Sequence, residues 1–406
     1  MFSPASVEEQ YEQAAADDLK VLVVGGGIAG TTTAQLLRRA GRHPVLIERS
    51  EDAPAAGYML ALMPMVDAAI DDLGVRDRYR SASVSLERYA VYGHTGRKLR
   101  EDSTSAIVSR FGDYRGIARG DLLDVLSGDG CPVTFGATVT EMALGPDAAE
   151  VEVSAARTRR RLDFDLVIVA DGMRSPTRHL IGDHVDVVDS GWGGWVVWTS
   201  ADPDTDLIEE LWGAGFFAGS YPVKDRLGVF VGGPHADTRD GPRRFVGGMR
   251  RRLGTVHPRL DRVLDAIATE PAPYYWSLTD CRARTWTTDR TVLLGDAAAG
   301  FLPTAGVGAG MAMESAWLLS AMVSESGPSR LSDTVRAYER LQRPRVEAAH
   351  DNSRQLARLM FHRSRVLATA RELAMRCVSV DRALRPIQRL LSEQPRIGER
   401  ARRSGR

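Results

Sequence analysis

Residues 21–49 read VLVVGGGIAGTTTAQLLRRAGRHPVLIER, and this stretch decides the fold. The apolar, valine-rich run from Leu19 to Val24 stops at glycine, which predicts a short buried strand. Gly25, Gly27 and Gly30 then stand in the G-x-G-x-x-G spacing. Each glycine answers a separate need: Gly25 a tight turn, Gly27 close approach of backbone to a pyrophosphate, Gly30 close packing of helix on strand. A helix is predicted from about Ala29 to Ala40, with the amides at its start aimed at phosphates and Ile28 and Ala29 among the cofactor-binding candidates. A second predicted strand, His43 to Ile47, ends at Glu48, 18 residues beyond Gly30, where an acid holds ribose hydroxyls. Glu48 repels a 2′-phosphate and so disfavours NADPH in this loop, with the adjacent Arg49 acting against that. Strand, helix, strand and acid in this order predict a Rossmann-like α/β unit for FAD or NAD.

A second glycine cluster answers the first. Residues 290–316 read RTVLLGDAAAGFLPTAGVGAGMAMESA. Arg290–Leu294 predicts another short strand, followed by Gly295 and Asp296 at the strand end, where α/β proteins gather ligand groups. A loop with Pro303, Gly306, Gly308 and Ala309 leads to an apolar helix, Met311 to Ser324, whose free first amides suit an electron-rich ring or a phosphate. Between the clusters, LDFDLVIVADGMRSPTR at 162–178 predicts one strand over Leu162–Ala170 rising to a turn at Asp171-Gly172, with Arg174 and Arg178 as surface charge. Two such clusters in one chain suggest a single large cofactor gripped at both ends, a flavin dinucleotide.

Composition removes other classes. The chain has 406 residues, 53 basic and 53 acidic, so its formal net charge is zero and no global field argues for nucleic acid. Arginine dominates only from Arg382 to Arg406, read as a solvated end. Cys131, Cys281 and Cys377 form no metal or disulfide spacing and fit a reducing compartment. No metal site is expected: no HExxH, zinc cluster or facial triad is visible, nor a G-x-S-x-G or P-loop. The N-terminus is polar and acidic, with no apolar signal core, and no run is long enough to span a bilayer. The expectation is a cytoplasmic enzyme with no stable membrane insertion, as a monomer or homodimer.

The ordered motifs resemble the group A flavoprotein monooxygenases, the FAD-dependent aromatic hydroxylase family typified by para-hydroxybenzoate hydroxylase. The resemblance runs from residue 20 to 345, through Gly25, Gly27 and Gly30, Arg119 in IARGDLLDVL, Asp171-Gly172 with Arg178, Gly295-Asp296, Pro303 to Gly310, and YERLQRPR at 338–345. It implies tight, non-covalent FAD, with Glu48 on the adenosine ribose and Asp296 on the ribityl chain. It places Arg119 near the ribityl–pyrophosphate region and Pro303–Gly310 along the isoalloxazine. It gives Asp171-Gly172 a double duty, on the pyrophosphate side and in docking NADH or NADPH as a transient reductant. The implied reaction uses dioxygen through a flavin C4a-hydroperoxide to hydroxylate or epoxidise an aromatic or polycyclic, secondary-metabolite-like substrate. No general acid or base is placed by motif. The family form GDAAH has Ala299 here in place of histidine, so an FAD-dependent reductase, dehydrogenase or redox-neutral cyclase on the same fold stands as the alternative.

The substrate side has a different texture. Turn-separated strands carry Trp192, Trp195, Trp198, Trp212, Phe217 and Tyr221, and strand alternation sets Trp192 and Trp198 on one side, Trp195 on the other. Trp192, Trp198, Trp212, Phe217 and Tyr221 are candidates to wall a cavity for a small aromatic or polycyclic molecule, with Phe111, Tyr114 and Tyr274–Trp276 as possible additions. His94, in a hairpin turn, is expected to be solvated. The expected architecture is a Rossmann-like FAD-binding domain (19–80, 100–183 and 280–345) with an inserted mixed-sheet substrate domain (81–99 and 184–279). C-terminal helices follow over 346–395, with a helix break near Pro344 and flexible ends at 1–18 and 396–406.

Overall fold

A computed structural model of the chain describes residues 1–52, 57–155, 158–182, 184–254, 256–377 and 384–395. Its centre is a six-stranded parallel sheet in the order Phe2–Pro4, Cys131–Phe135, Val45–Glu48, Val21–Val24, Leu166–Val169, Thr291–Leu293. VLVV at 21–24 and LVIV at 166–169 are buried at every position, as strands covered on both faces must be. The helices Ile28–Arg39 and Gly308–Ser324 pack together against this core, with Ser320 Oγ donating to the Thr33 carbonyl at 3.5 Å. A three-stranded antiparallel sheet, Ala137–Leu144, Ala149–Ala155 and Thr158–Phe164, adds Val139, Val151, Val153 and Phe164 to the same core.

The stretch expected as one strand over 162–170 is two. TRRRLDF at 158–164 is mostly exposed and belongs to the antiparallel sheet, whereas LVIV at 166–169 is continuous apolar chain in the parallel one. Asp165 makes the corner: its amide donates to the Lys20 carbonyl at 2.9 Å, and its carboxylate accepts from the Lys20 amide at 2.8 Å.

The N-terminus corrects the expectation of a flexible end. Phe2–Pro4 adds the sheet's edge strand, and Val7–Ala14 is a helix begun by a capping box of Ser6 and Glu9, the reciprocal arrangement that satisfies two orphan donors. Gln10 is buried and bonds the backbone on both sides of Leu46, accepting from its amide at 3.0 Å and donating to its carbonyl at 3.1 Å. A segment with its own cap and a buried anchor is part of the core.

The second sheet has eight strands in the order Ala299–Gly300, Tyr274–Ala283, Val185–Ser200, Arg226–Pro234, Phe217–Val223, Leu207–Trp212, Arg88–Tyr92, Lys98–Ser103. Mixed pairing comes from the parallel contact of Leu207–Trp212 with Arg88–Tyr92. Its two faces do different work. Trp195, Val197, Leu211 and Val231 face the amphipathic helices Pro242–Arg252 and Pro258–Thr269. Trp192, Val196, Trp212, Phe217 and Phe230 face the other way, toward Leu302, Ala357 and Met360.

The expected break at Pro344 does not occur, since Leu331–Met360 is one helix with Pro344 inside it. Proline removes one helical hydrogen bond and crowds the carbonyl four residues back. The turns on either side are pinned from outside: Gln342 donates to Glu314 at 3.1 Å and Ser315 at 3.0 Å, and Arg345 forks onto the Glu314 carboxylate at 2.6 and 2.8 Å. His94 is not solvated either. Its Nδ1 lies 2.7 Å from Glu372 of the helix Arg365–Cys377, and its amide donates to the same carboxylate at 2.6 Å. Cys131 and Cys281 are buried free thiols; the Cys377 side chain and the tail 396–406 lie outside the described residues. No described helix is long and apolar enough to cross a membrane.

Candidate active site

Three neighbouring parallel strands end side by side, and the loops that follow them form the site. After Val21–Val24 comes Gly25–Gly27, after Leu166–Val169 comes Asp171-Gly172, and after Thr291–Leu293 comes Gly295-Asp296. The loops touch so closely that side chains are excluded. A Cβ on Gly25 (φ +108°) would stand 2.5 Å from the Ala170 carbonyl oxygen, and one on Gly30 would stand 1.9 Å from that of Gly25. Gly295 (φ +60°) would bring a Cβ within 2.9 Å of Ala29 Cβ, so the second glycine cluster rests against the start of the first cluster's helix. Gly27 is different, with no atom within 4 Å of the place its Cβ would occupy. That space lies over a helix start with no side-chain cap, which leaves the first amides, among them those of Ile28 and Ala29, for an anion.

Glu48, at the tip of the next strand, accepts from the Gly26 amide at 2.7 Å and the Ser50 amide at 2.9 Å. A carboxylate has about four acceptor positions, so Glu48 is held in place with capacity left for hydroxyl donors. Arg49 is exposed beside it.

Asp296 is enclosed, and no donor among the described residues bonds its carboxylate. Burial pushes its pKa up to about 6 against the partial pull of Arg119. Such a carboxylate is costly alone and well suited to accept hydrogen bonds from a polyol. Arg119 is the first residue of the helix Arg119–Ser127, and its amide donates to the Tyr58 carbonyl at 3.0 Å. Tyr58 was not singled out by the sequence, because no motif marks it. Its ring stacks on Trp276 with centroids 5.0 Å apart. Burial, then the Asp296 charge, push its hydroxyl up to about 12, so it stays a neutral donor near Asp296 and Arg119.

Asp171 accepts from the Thr177 amide at 3.3 Å, while its Oδ1 is buried without a partner among the described residues. Such an orphan acceptor fits a hydroxyl or amide of a bound molecule. Arg178, expected at the surface, is 2% exposed. Its guanidinium donates to the Ala297 carbonyl at 2.6 Å and the Met173 carbonyl at 3.0 Å, tying the Asp171 loop to the Asp296 loop. Arg178→Ala is expected to cost about 2–4 kcal/mol, as loss of charged hydrogen bonds to two buried carbonyls does. A lowered melting temperature together with weaker flavin retention would register it; an unchanged melting temperature would count against the tie.

The loop beyond Asp296 is held from behind by the long helix. Thr304 donates to the Ser353 carbonyl at 2.7 Å, Ser353 to the Leu302 carbonyl at 2.7 Å, and His350 Nε2 lies 3.1 Å from the Gly300 carbonyl. Pro303 and Gly306 stay exposed, with Gly308 and Ala309 half-buried at an uncapped helix start. Ala299 is buried in a strand pair with Arg282 and brings no titratable group.

The aromatic candidates divide. Trp192 stacks on Phe361, with centroids 4.7 Å apart, and Phe217 meets Phe361 edge-on at 6.4 Å. With Phe230 and Leu302 they form one packed apolar cluster. Trp198 shares the side of Trp192 but is committed elsewhere: its N–H donates to the Gly57 carbonyl at 3.0 Å and Arg226 lies over its ring. Trp212 and Tyr221 both bond Glu210, at 2.8 and 2.7 Å, a residue that no sequence motif marks. Of the possible additions, Tyr274 and Tyr275 are exposed.

A family model described as "FAD binding domain" matches residues 18–353. Among curated proteins, the aurachin C monooxygenase/isomerase of Stigmatella aurantiaca is 27% identical over 381 residues, 90% of this chain and 95% of that protein. The 2-heptyl-3-hydroxy-4(1H)-quinolone synthase of Pseudomonas aeruginosa strain UCBPP-PA14 is 28% identical over 311 residues, 74% of this chain and 80% of that protein. Among solved structures, Klebsiella pneumoniae HpxO complexed with FAD and uric acid superposes with a TM-score of 0.81 at 21% identity, covering 93% of this chain and 97% of that one.

Proposed function

This chain belongs to the group A FAD-dependent monooxygenases, and from that premise we propose that NADH or NADPH serves it as transient reductant and dioxygen as oxidant, to hydroxylate or epoxidise an aromatic or heteroaromatic substrate. The observation that carries this reading is the continuity of two sites. Leu302, six residues beyond Asp296, packs in the same cluster as Trp192, Phe217 and Phe230, so the aromatic face of the second sheet lies directly against the loop that follows the enclosed carboxylate. The name of the quinolone synthase supports a flat heteroaromatic substrate.

When bound, FAD supplies the hydride acceptance and oxygen activation. The chain's own residues do the rest. Amides at Gly27, Ile28 and Ala29 hold the pyrophosphate, and Glu48 accepts from the adenosine ribose. Asp296 accepts from the ribityl hydroxyls, with Arg119 and Tyr58 beside it. The Asp171-Gly172 turn contributes on the pyrophosphate side, where Asp171 Oδ1 lacks a partner among the described residues. Amides of the 303–309 loop favour negative charge on a reduced ring system. Trp192, Phe217 and Phe361 exclude water, which protects a reactive oxidant from breakdown.

Anaerobic titration of the FAD-loaded protein with NADH and NADPH, then admission of oxygen with a panel of quinolones and polycyclic phenols, tests the reading. Bleaching of the flavin followed by oxygen uptake coupled to product is expected. Bleaching with no substrate-coupled oxygen uptake would instead favour the reductase or redox-neutral alternative, for which Ala299 is the motive.

A further inference from the structure

Glu209 and Glu210 are neighbours on the strand Leu207–Trp212 and point to opposite faces of the sheet. Glu209 lies on the helix-covered face, where it accepts from Tyr92 Oη at 2.7 Å and sits 3.3 Å from Arg259 Nε. It is an ordinary buried ion pair. Glu210 lies on the opposite face with Trp212. Its Oε2 accepts from Tyr89 Oη at 2.5 Å and Trp212 Nε1 at 2.8 Å, and its Oε1 accepts from Tyr221 Oη at 2.7 Å. All three donors are neutral, and among the described residues no Lys, Arg or His pairs with it. Burial pushes its carboxyl pKa up, against the pull of those hydrogen bonds.

Two features separate this from a structural tie. Glu210, Tyr89, Tyr114 and Tyr221 are each deeply enclosed, yet each keeps accessible surface. They are therefore enclosed by protein yet still accessible. Acceptor capacity is also left over: of about four positions on a carboxylate, three are filled, and the open one is on Oε1. One strand links this group to the flavin side. Tyr114 precedes the strand Arg115–Ala118, whose far end reaches Arg119 and, by pairing Ala118 with Met59, the segment of Tyr58. Four strand residues, about 13 Å, separate the Glu210 end from the Asp296 end.

We propose that Glu210 is a substrate-recognition residue whose open Oε1 position accepts the polarised N–H of a nitrogen-bearing aromatic ring. The proposal rests on the oxygenase reading and deepens it by naming the substrate class. A buried acceptor whose other contacts are all neutral donors gains most from a ligand group that donates, which an amide-like ring N–H does and a ring oxygen does not.

Calorimetric titration of the FAD-loaded protein with 4(1H)-quinolone, N-methyl-4-quinolone and chromone tests this, since the three share a bicyclic frame, only the first has the N–H, and chromone lacks it without added bulk. Wild type is expected to bind the quinolone at least about tenfold tighter than the other two, because the donor-less ligands leave a buried acceptor unmet. In Glu210→Gln that ratio is expected to fall to about threefold or less, with chromone affinity, FAD content and melting temperature kept. Equal affinities in wild type, no quinolone binding at millimolar concentration, or an undiminished ratio in Glu210→Gln would overturn the proposal. So would an equal loss of all three ligands, the signature of a strand tie. If the variant does not fold, the wild-type ratio decides alone. Binding is read without turnover, so a failed oxygenase reading and a failed Glu210 proposal give different results.

Discussion

Gly30→Ala is expected to yield a protein that purifies without yellow colour. The added Cβ would fall 1.9 Å from the Gly25 carbonyl oxygen, a backbone atom that moves only if the whole glycine loop moves. Overpacking of this kind costs about 1–3 kcal/mol and shifts backbone. Here the shift falls on the turn that aims the amides of Ile28 and Ala29 at the pyrophosphate site. Misalignment worth about 3 kcal/mol lowers FAD affinity by about a hundredfold. The ratio of flavin to protein absorbance after purification reads it, and calorimetry with added FAD gives the affinity. Gly27→Ala is the informative contrast. Its Cβ meets nothing within 4 Å, so it should fold as wild type and lose flavin only by filling the cradle. Retention of stoichiometric FAD by Gly30→Ala would break the link between loop contact and cofactor.

Asp296→Asn is expected to move stability and binding in opposite directions. Asp296 has a pKa of about 6 against 3.8 for an unburied aspartate. The folded apoprotein therefore resists its ionisation, and the carboxylate destabilises the fold progressively as pH rises from about 4 to 6. Below that window the group is protonated in both states and contributes nothing. Above it the penalty is complete, up to about 3 kcal/mol. The asparagine variant should match wild-type apoprotein in thermal unfolding near pH 4 and exceed it at pH 7 to 8. The same substitution should weaken FAD by about tenfold or more, since a charged acceptor outweighs a neutral one by about 1.5 kcal/mol. A variant that is no more stable at pH 7, or that holds FAD as tightly, would remove Asp296 from the role given to it. A carboxylate that costs the empty protein stability is what a site built for its ligand looks like.

The parallel-sheet unit was legible because its signals are local. VLVV, LVIV and TVL are short apolar runs ending in glycine, alanine or leucine before a ligand loop, and the helix between Gly27 and Ala40 follows directly in sequence. The pairing of the two glycine clusters suggests that Gly25 and Gly295 serve one cofactor, and the strand order that sets their loops side by side is visible only in the fold. Residues whose meaning depends on long-range packing were misread. Arg178 looks like surface charge beside a turn until the Ala297 carbonyl is set against it. Pro344 reads as a break until Glu314 pins the turns around it. His94 looks solvated until Glu372, 278 residues later, reaches its hairpin. Tyr58 and Glu210 carry no motif at all. An adjacent pair such as Glu209 and Glu210 reads as two surface acids, and strand alternation alone could have separated their faces. Only the fold shows that one is paired with Arg259 and the other with no cation among the described residues.

The central claim is that this enzyme inserts one atom of dioxygen into an aromatic substrate. Turnover of a quinolone under oxygen-18 gas, with NADH or NADPH in ordinary water, tests it most directly. The account predicts a product heavier by one oxygen-18 atom, formed in step with reductant consumption. Product oxygen drawn from water, or all of the consumed oxygen recovered as hydrogen peroxide while the aromatic compound stays unchanged, would contradict it.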